Sequence, residues 1–168
     1  MKRLLVLLTL VGVACSTPVS YEGYNYTLSI DGRLDTTSDG LYELTLNPSD
    51  NSIQTIHRVT GQLLNNGEEP YPPQPVSWES SHEWILSDTA YSVVRRTINV
   101  LGEWVVVDTI NVAGFSGETV PTINGYSISG TGGEINTVIA PITEMRGDTM
   151  TVRASYKELT EYIEIILK

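Results

Sequence analysis

The feature that most restricts the fold is a period-two alternation of apolar and polar residues. It recurs along the chain after residue 20 and is broken at short intervals by turn-forming residues. Successive side chains on a strand point to opposite faces, so this pattern marks strands with one buried face. No segment after residue 20 holds a helical period over three turns. Tyr24, Tyr26, Leu28 and Ile30 share one face, with Asn25, Thr27 and Ser29 on the other, and Asp31-Gly32-Arg33 turns the chain. Tyr42, Leu44 and Leu46 repeat the pattern until Asn47-Pro48-Ser49-Asp50 breaks it. Ile53 to Leu64 reads as a longer strand, with a bulge or bend expected at Gly61.

Two hairpins follow from the same logic. The first joins Ala90–Val100 to Trp104–Val112 across Leu101-Gly102-Glu103. Its expected register sets Val100 opposite Trp104, Ile98 opposite Val106 and Val94 opposite Ile110, and places Arg96 opposite Asp108. The second joins Ile135–Met145 to Thr149–Tyr156 across Arg146-Gly147-Asp148, with Ile142 opposite Val152 and Ala140 opposite Ala154. Pro141 cannot donate a ladder hydrogen bond, so its strand is expected at an edge or bent there. Glu69 to Pro75 holds four prolines and reads as a stiff extended loop. Gly114 to Gly133 reads as loops around short strands. Glu158 to Lys168 is open between a final strand through Ile163, Ile165 and Leu167 and a helical turn at its start. Short strands separated by turns give an all-β domain over residues 21–168, a sandwich or a barrel. The order of segments resembles an immunoglobulin-like β-sandwich, without the cysteine pair of antibody domains. A lipocalin-like β-barrel is the alternative, though no Gly-x-Trp stands in the first strand.

The N-terminus reads as an address. Met1-Lys2-Arg3 precedes the apolar run Leu4 to Ala14, and Cys15-Ser16-Thr17-Pro18 follows. Two cations, a short apolar run and small residues form a secretory signal peptide over residues 1–14, too short for a spanning helix. Val11-Gly12-Val13-Ala14-Cys15 resembles the lipobox of bacterial lipoproteins, with Gly12 where that pattern prefers Leu. The resemblance implies that Cys15 becomes the first residue of the mature chain and is lipidated, with residues 15–20 as a tether. Ser16 after the Cys, by the same resemblance, implies sorting to the outer membrane of the cell envelope. Loss of Lys2 and Arg3 takes the formal charge from −10 to −12.

Composition removes several functions. Ten Lys and Arg against twenty Asp and Glu leave no basic surface for nucleic acid. A single Cys excludes an intrachain disulfide framework and a Cys-rich zinc site. Asp31, Asp35 and Asp39 recur every four residues rather than at EF-hand spacing, so they read as turn residues. No metal and no cofactor is expected. A hydrolase triad needs a His base, and the chain has only His57 and His82. His57 shares parity with Ile53, Val59 and Leu63 and reads as packed. His82 neighbours Ser81 and Glu83, but adjacency is not triad geometry. Gly125-Tyr126-Ser127-Ile128-Ser129-Gly130 fails Gly-x-Ser-x-Gly and lacks a strand-to-helix context. No catalytic residue is assigned, and the expectation is a non-catalytic protein.

Binding is the sharper expectation. If Val76 to Leu86 is one strand, Trp78, Ser80, His82 and Trp84 share a face. With Tyr71 in the proline-rich loop and Trp104, they form a candidate ligand-binding set for sugar or peptide. Core packing of the three tryptophans is the simpler reading. Arg146-Gly147-Asp148 matches an adhesion tripeptide but is equally good turn chemistry. Asp35-Thr36-Thr37, Asp88-Thr89-Ala90, Asp108-Thr109-Ile110 and Asp148-Thr149-Met150 resemble acceptor sites of a bacterial O-glycosylation system. The expected function is a binding or accessory module of the cell envelope, anchored to the membrane by lipid, with envelope proteins or an extracellular glycan as partners. A lipocalin-like carrier of a small apolar ligand and a carbohydrate-binding surface protein are the alternatives.

Overall fold

A computed structural model describes residues 23–48, 52–86, 90–113 and 119–168. The signal peptide, the tether and Cys15 lie outside the described residues. The strands are β1 (Tyr26–Asp31), β2 (Tyr42–Leu44), β3 (His57–Asn65), β4 (Pro75–Ser80), β5 (His82–Leu86), β6 (Ala90–Ile98), β7 (Trp104–Ala113), β8 (Tyr126–Ile128), β9 (Glu134–Ile139), β10 (Thr149–Tyr156) and β11 (Leu159–Leu167). Two single 3₁₀ turns, Thr131–Gly133 and Thr143–Met145, are the helical pieces among the described residues. The architecture is all-β.

Three sheets result. One has the order β1-β3-β9, the second β2-β11-β10-β4-β8, and the third β5-β6-β7. Neighbours are antiparallel except β2 and β11, which run parallel. The alternation now has a cause at each strand. On β10, Met150, Val152, Ala154 and Tyr156 are buried while Thr149, Thr151, Arg153 and Ser155 face the other way. The first two sheets enclose a core that includes Leu63, Trp78, Ile135, Ile139, Met150, Val152, Ile163 and Ile165. Burying each such side chain contributes roughly 1.5–3 kcal/mol. The ladder through Gly61 is unbroken on both sides, so the expected bulge is absent. The glycine is there for closeness: a Cβ would run into the Ser29 carbonyl oxygen of β1.

The hairpin expectations are corrected in two ways. β6 and β7 do pair, but Ile98 lies opposite Trp104, across a loop of five residues rather than three. A shift between Arg95 and Arg96 then brings Arg95, not Arg96, opposite Asp108. The second expected hairpin does not form. β9 pairs with β3, and β10 pairs with β11 and β4. Pro141 follows the end of β9, and the Thr143–Met145 turn carries the chain into the other sheet. The true hairpin, β10–β11, turns at Lys157-Glu158, with Lys157 at φ 54°. Alternation identifies the buried face of β10 but not its partner strand. The tail Leu159–Leu167 is a strand.

Candidate binding cleft and the corner behind it

The expected single strand Val76–Leu86 breaks at Ser81 into β4 and β5, which belong to different sheets. Three consecutive polar residues make this corner satisfiable. The Ser81 amide donates to the Thr151 carbonyl (2.9 Å), the Thr151 amide donates to Ser81 Oγ (2.8 Å), and the Arg96 amide donates to the Ser81 carbonyl (2.7 Å). Ser80 Oγ donates to the His82 carbonyl and accepts from the His82 amide (2.7 and 3.0 Å). Side-chain hydroxyls thus replace the ladder bonds that a strand loses when it switches sheets.

His82 is buried behind the corner. Its Nδ1 lies 2.8 Å from Ser81 Oγ and its Nε2 3.2 Å from Asp148 Oδ2. Arg95 Nε donates to the same Asp148 oxygen (2.8 Å), and Arg95 Nη1 donates to Asp108 (3.0 Å). Burial holds the His82 pKa below the ordinary imidazole value, despite the opposing pull of Asp148. A neutral ring with its proton on Nε2 then donates to Asp148 and accepts the Ser81 hydroxyl. A serine, a histidine and an aspartate are therefore in contact. The amides around them are already engaged: those of Ser81, His82 and Thr151 each donate within the corner. None of the three is left to stabilise an oxyanion, which an acyl-transfer site requires. The arrangement is suited to fastening the third sheet to β10.

In front of the corner lies an open cleft of about 700 Å³. Its lining includes Ser81, Thr149 and Thr151 with Tyr162 and Glu164, and Arg96, Ile98 and Trp104 from the β6–β7 hairpin. The registers explain the grouping: Thr151 lies opposite Glu164, and both stand on the face of the second sheet turned away from the core. The Trp104 indole carries the guanidinium groups of Arg96 and Arg153 at 5.2 and 4.9 Å from its ring centre. Arg96 pairs with Glu83 (2.8 Å), and Arg153 Nε donates to Glu79 (2.9 Å), so the two cations are neutralised. Trp104 Nε1 and Arg96 Nε are buried donors without an acceptor among the described residues. Such a donor costs roughly 1–3 kcal/mol until an acceptor reaches it.

The five expected binding residues are dispersed. Trp78 is core, its Nε1 donating to Ser127 Oγ (2.8 Å). Trp84 packs edge-on to Tyr91 and donates to the Val120 carbonyl. Tyr71 is exposed in its loop. Trp104 lines the cleft directly, while His82 is placed behind it. The parity argument fails because the break at Ser81 turns β5 out of the plane of β4. Sequence reasoning missed Thr149, Thr151, Tyr162 and Glu164, whose outward parity on β10 and β11 was visible but whose partner was not. His57 Nε2 lies 2.6 Å from the Gly32 carbonyl. Asp31 accepts from the Arg33 amide and Tyr42 hydroxyl (2.8 and 3.2 Å), a turn role. Among the described residues, no three His, Cys, Asp or Glu gather as metal ligands. Asp148 of the adhesion tripeptide is committed to His82 and Arg95, and Arg146 Nη2 donates to the Leu46 carbonyl. No protein-family profile, no curated protein and no solved structure matches this chain.

Proposed function

We propose that this chain is an exported outer-membrane lipoprotein, anchored through Cys15, whose domain is a non-catalytic binding module for an envelope or extracellular glycan. The cleft beside Trp104 carries the reading. It combines aromatic rings of Trp104 and Tyr162 with the hydroxyls of Ser81, Thr149 and Thr151 and the Glu164 carboxylate. Aromatic rings beside a few convergent polar groups suit a polyhydroxylated ligand. The domain itself we read as an immunoglobulin-like sandwich. In support, the interior is filled by Trp78, Leu63, Ile139 and Ile165, where a lipocalin-like carrier would keep a ligand cavity.

A second reading, an accessory to another envelope protein, is favoured by one observation. Strand β7 is the outer strand of its sheet, and Val105, Val106, Val107 and Ile110 are exposed along it. Exposed apolar edges invite strand pairing.

Two measurements test the proposal. Mass spectrometry of the mature protein is expected to give an acylated Cys15 at the N-terminus; a free Cys15 thiol removes the anchor. Fluorescence titration with soluble peptidoglycan fragments and neutral oligosaccharides is expected to give saturable binding. Trp104→Ala should weaken it by about ten-fold or more, the loss of roughly 1.4 kcal/mol or more of contact with the indole and the arginines it orders. Binding that is unchanged in Trp104→Ala, or absent with every glycan, removes the cleft reading.

A further inference from the structure

The end of the domain where the described residues begin gathers aromatic side chains. Tyr26 opens β1 opposite Asn65, Tyr156 closes β10 opposite Leu159, and Pro75 opens β4 opposite Ile128. These registers bring the start of β1, the β10–β11 turn and the loop before β4 together. Tyr24 and Tyr26 stack (6.0 Å, 22°), Tyr26 meets Tyr156 edge-on (4.8 Å), and the Lys157 ammonium lies over both of the latter rings (4.5 and 5.1 Å). The Tyr156 hydroxyl donates to Gln74, which ties in the loop that carries Tyr71. Tyr24 is 61% exposed, Tyr71 91% and Ile128 53%. The core uses none of this exposed surface.

We infer that this tyrosine-rich end is a membrane-facing surface, seated in the headgroup layer of the bilayer that holds the anchor. The inference rests on lipidation of Cys15. The chain outside the description supplies the argument for the occupant. Only eight residues, Ser16 to Gly23, separate Cys15 from Tyr24. Even fully extended they reach about 28 Å, so the patch cannot stray far from the bilayer. Tyrosine, with an apolar ring and a polar tip, concentrates at the membrane–water boundary. A short tether raises the local concentration to the millimolar range, so a weak interfacial preference is sufficient. The patch is not basic: its one cation among the described residues, Lys157, stands beside Glu158. The attraction is therefore interfacial rather than electrostatic and does not require anionic lipid. Seating this end directs β11 away from the surface. Its nine residues span about 30 Å, several times the headgroup layer.

The test uses the full lipidated chain in phosphatidylcholine vesicles. A nitroxide is placed on Glu158→Cys, in the β10–β11 turn, or on Asn47→Cys, beside the far end of β11. Cys15 is the chain's single native Cys and is consumed by the anchor. Collision of the Glu158 label with an aqueous nickel chelate is expected to be at least about three-fold slower than at Asn47. Tyr24→Ser with Tyr71→Ser, both at exposed positions, should bring the two rates together. Equal rates on an acylated, vesicle-bound chain overturn this inference and leave the anchor standing. An unacylated Cys15 overturns both. Protection that grows with the protein-to-lipid ratio signals a second copy on the patch and also overturns it.

Discussion

Gly133→Ala is expected to destabilise the protein by about 2–5 kcal/mol, a large part of the stability of a domain this size. Two costs add. Gly133 has φ 76°, a left-handed conformation that costs an L-residue roughly 1–2 kcal/mol. A Cβ there would also meet the Leu63 carbonyl oxygen and, at 2.9 Å, a methyl of Leu64. Leu63 is fully buried in β3, so its backbone cannot retreat without opening the core, and such overpacking costs about 1–3 kcal/mol. Gly132 provides the control. It has φ 67°, but a Cβ on it meets nothing within 4 Å. Gly132→Ala should therefore lose only the conformational part. Urea unfolding of the two variants separates the terms, and equal losses would remove the steric part of the argument.

The same glycine shows what the sequence could and could not convey. Gly132-Gly133 reads as loop, and nothing local says that Leu63, seventy positions earlier, crosses it. Strand identity was legible wherever alternation met a turn residue, as in β1, β6, β7 and β10. Strand partners were not. The chain from Ile135 to Tyr156 has the parity of a hairpin, yet Pro141 and the Thr143–Met145 turn divide it between two sheets. Register slipped for a related reason: five residues rather than three cap the β6–β7 hairpin, a slip of two positions that the shift at Arg95/Arg96 reduces to one. At the cleft, Trp104 was visible as a candidate. The hydroxyls that accompany it were ordinary outward strand positions until β10 and β11 were set beside the hairpin. Ser80-Ser81-His82 looked like part of one strand because the Thr151 amide that Ser81 Oγ satisfies lies seventy positions away.

That corner gives the second large effect. Asp148→Ala is expected to cost about 1–3 kcal/mol at neutral pH and to increase sensitivity to acid. The carboxylate serves His82 Nε2 and Arg95 Nε, while Arg95 keeps Asp108; the partly exposed Arg95 and Asp148 side chains hold the loss below that of a fully buried pair. The acid dependence follows from His82. Its folded pKa lies below the value near 6.5 that it takes in the unfolded chain. Between the two values the unfolded state binds more protons, so stability rises with pH through that window. The His82 contribution is complete above about pH 6.5 and declines as pH falls toward the folded pKa. Asp148 favours the charged ring, so its removal pushes the folded pKa lower still and widens the window downward. Thermal melts from pH 8 to pH 5 should therefore fall more steeply for Asp148→Ala than for the native chain. His82→Gln, which has no imidazole to protonate, should fall less steeply than either, with the remaining slope due to the carboxylates. Parallel curves for all three proteins would show that the corner is not held by a neutral histidine, and would return Ser81, His82 and Asp148 to consideration as a protonated site.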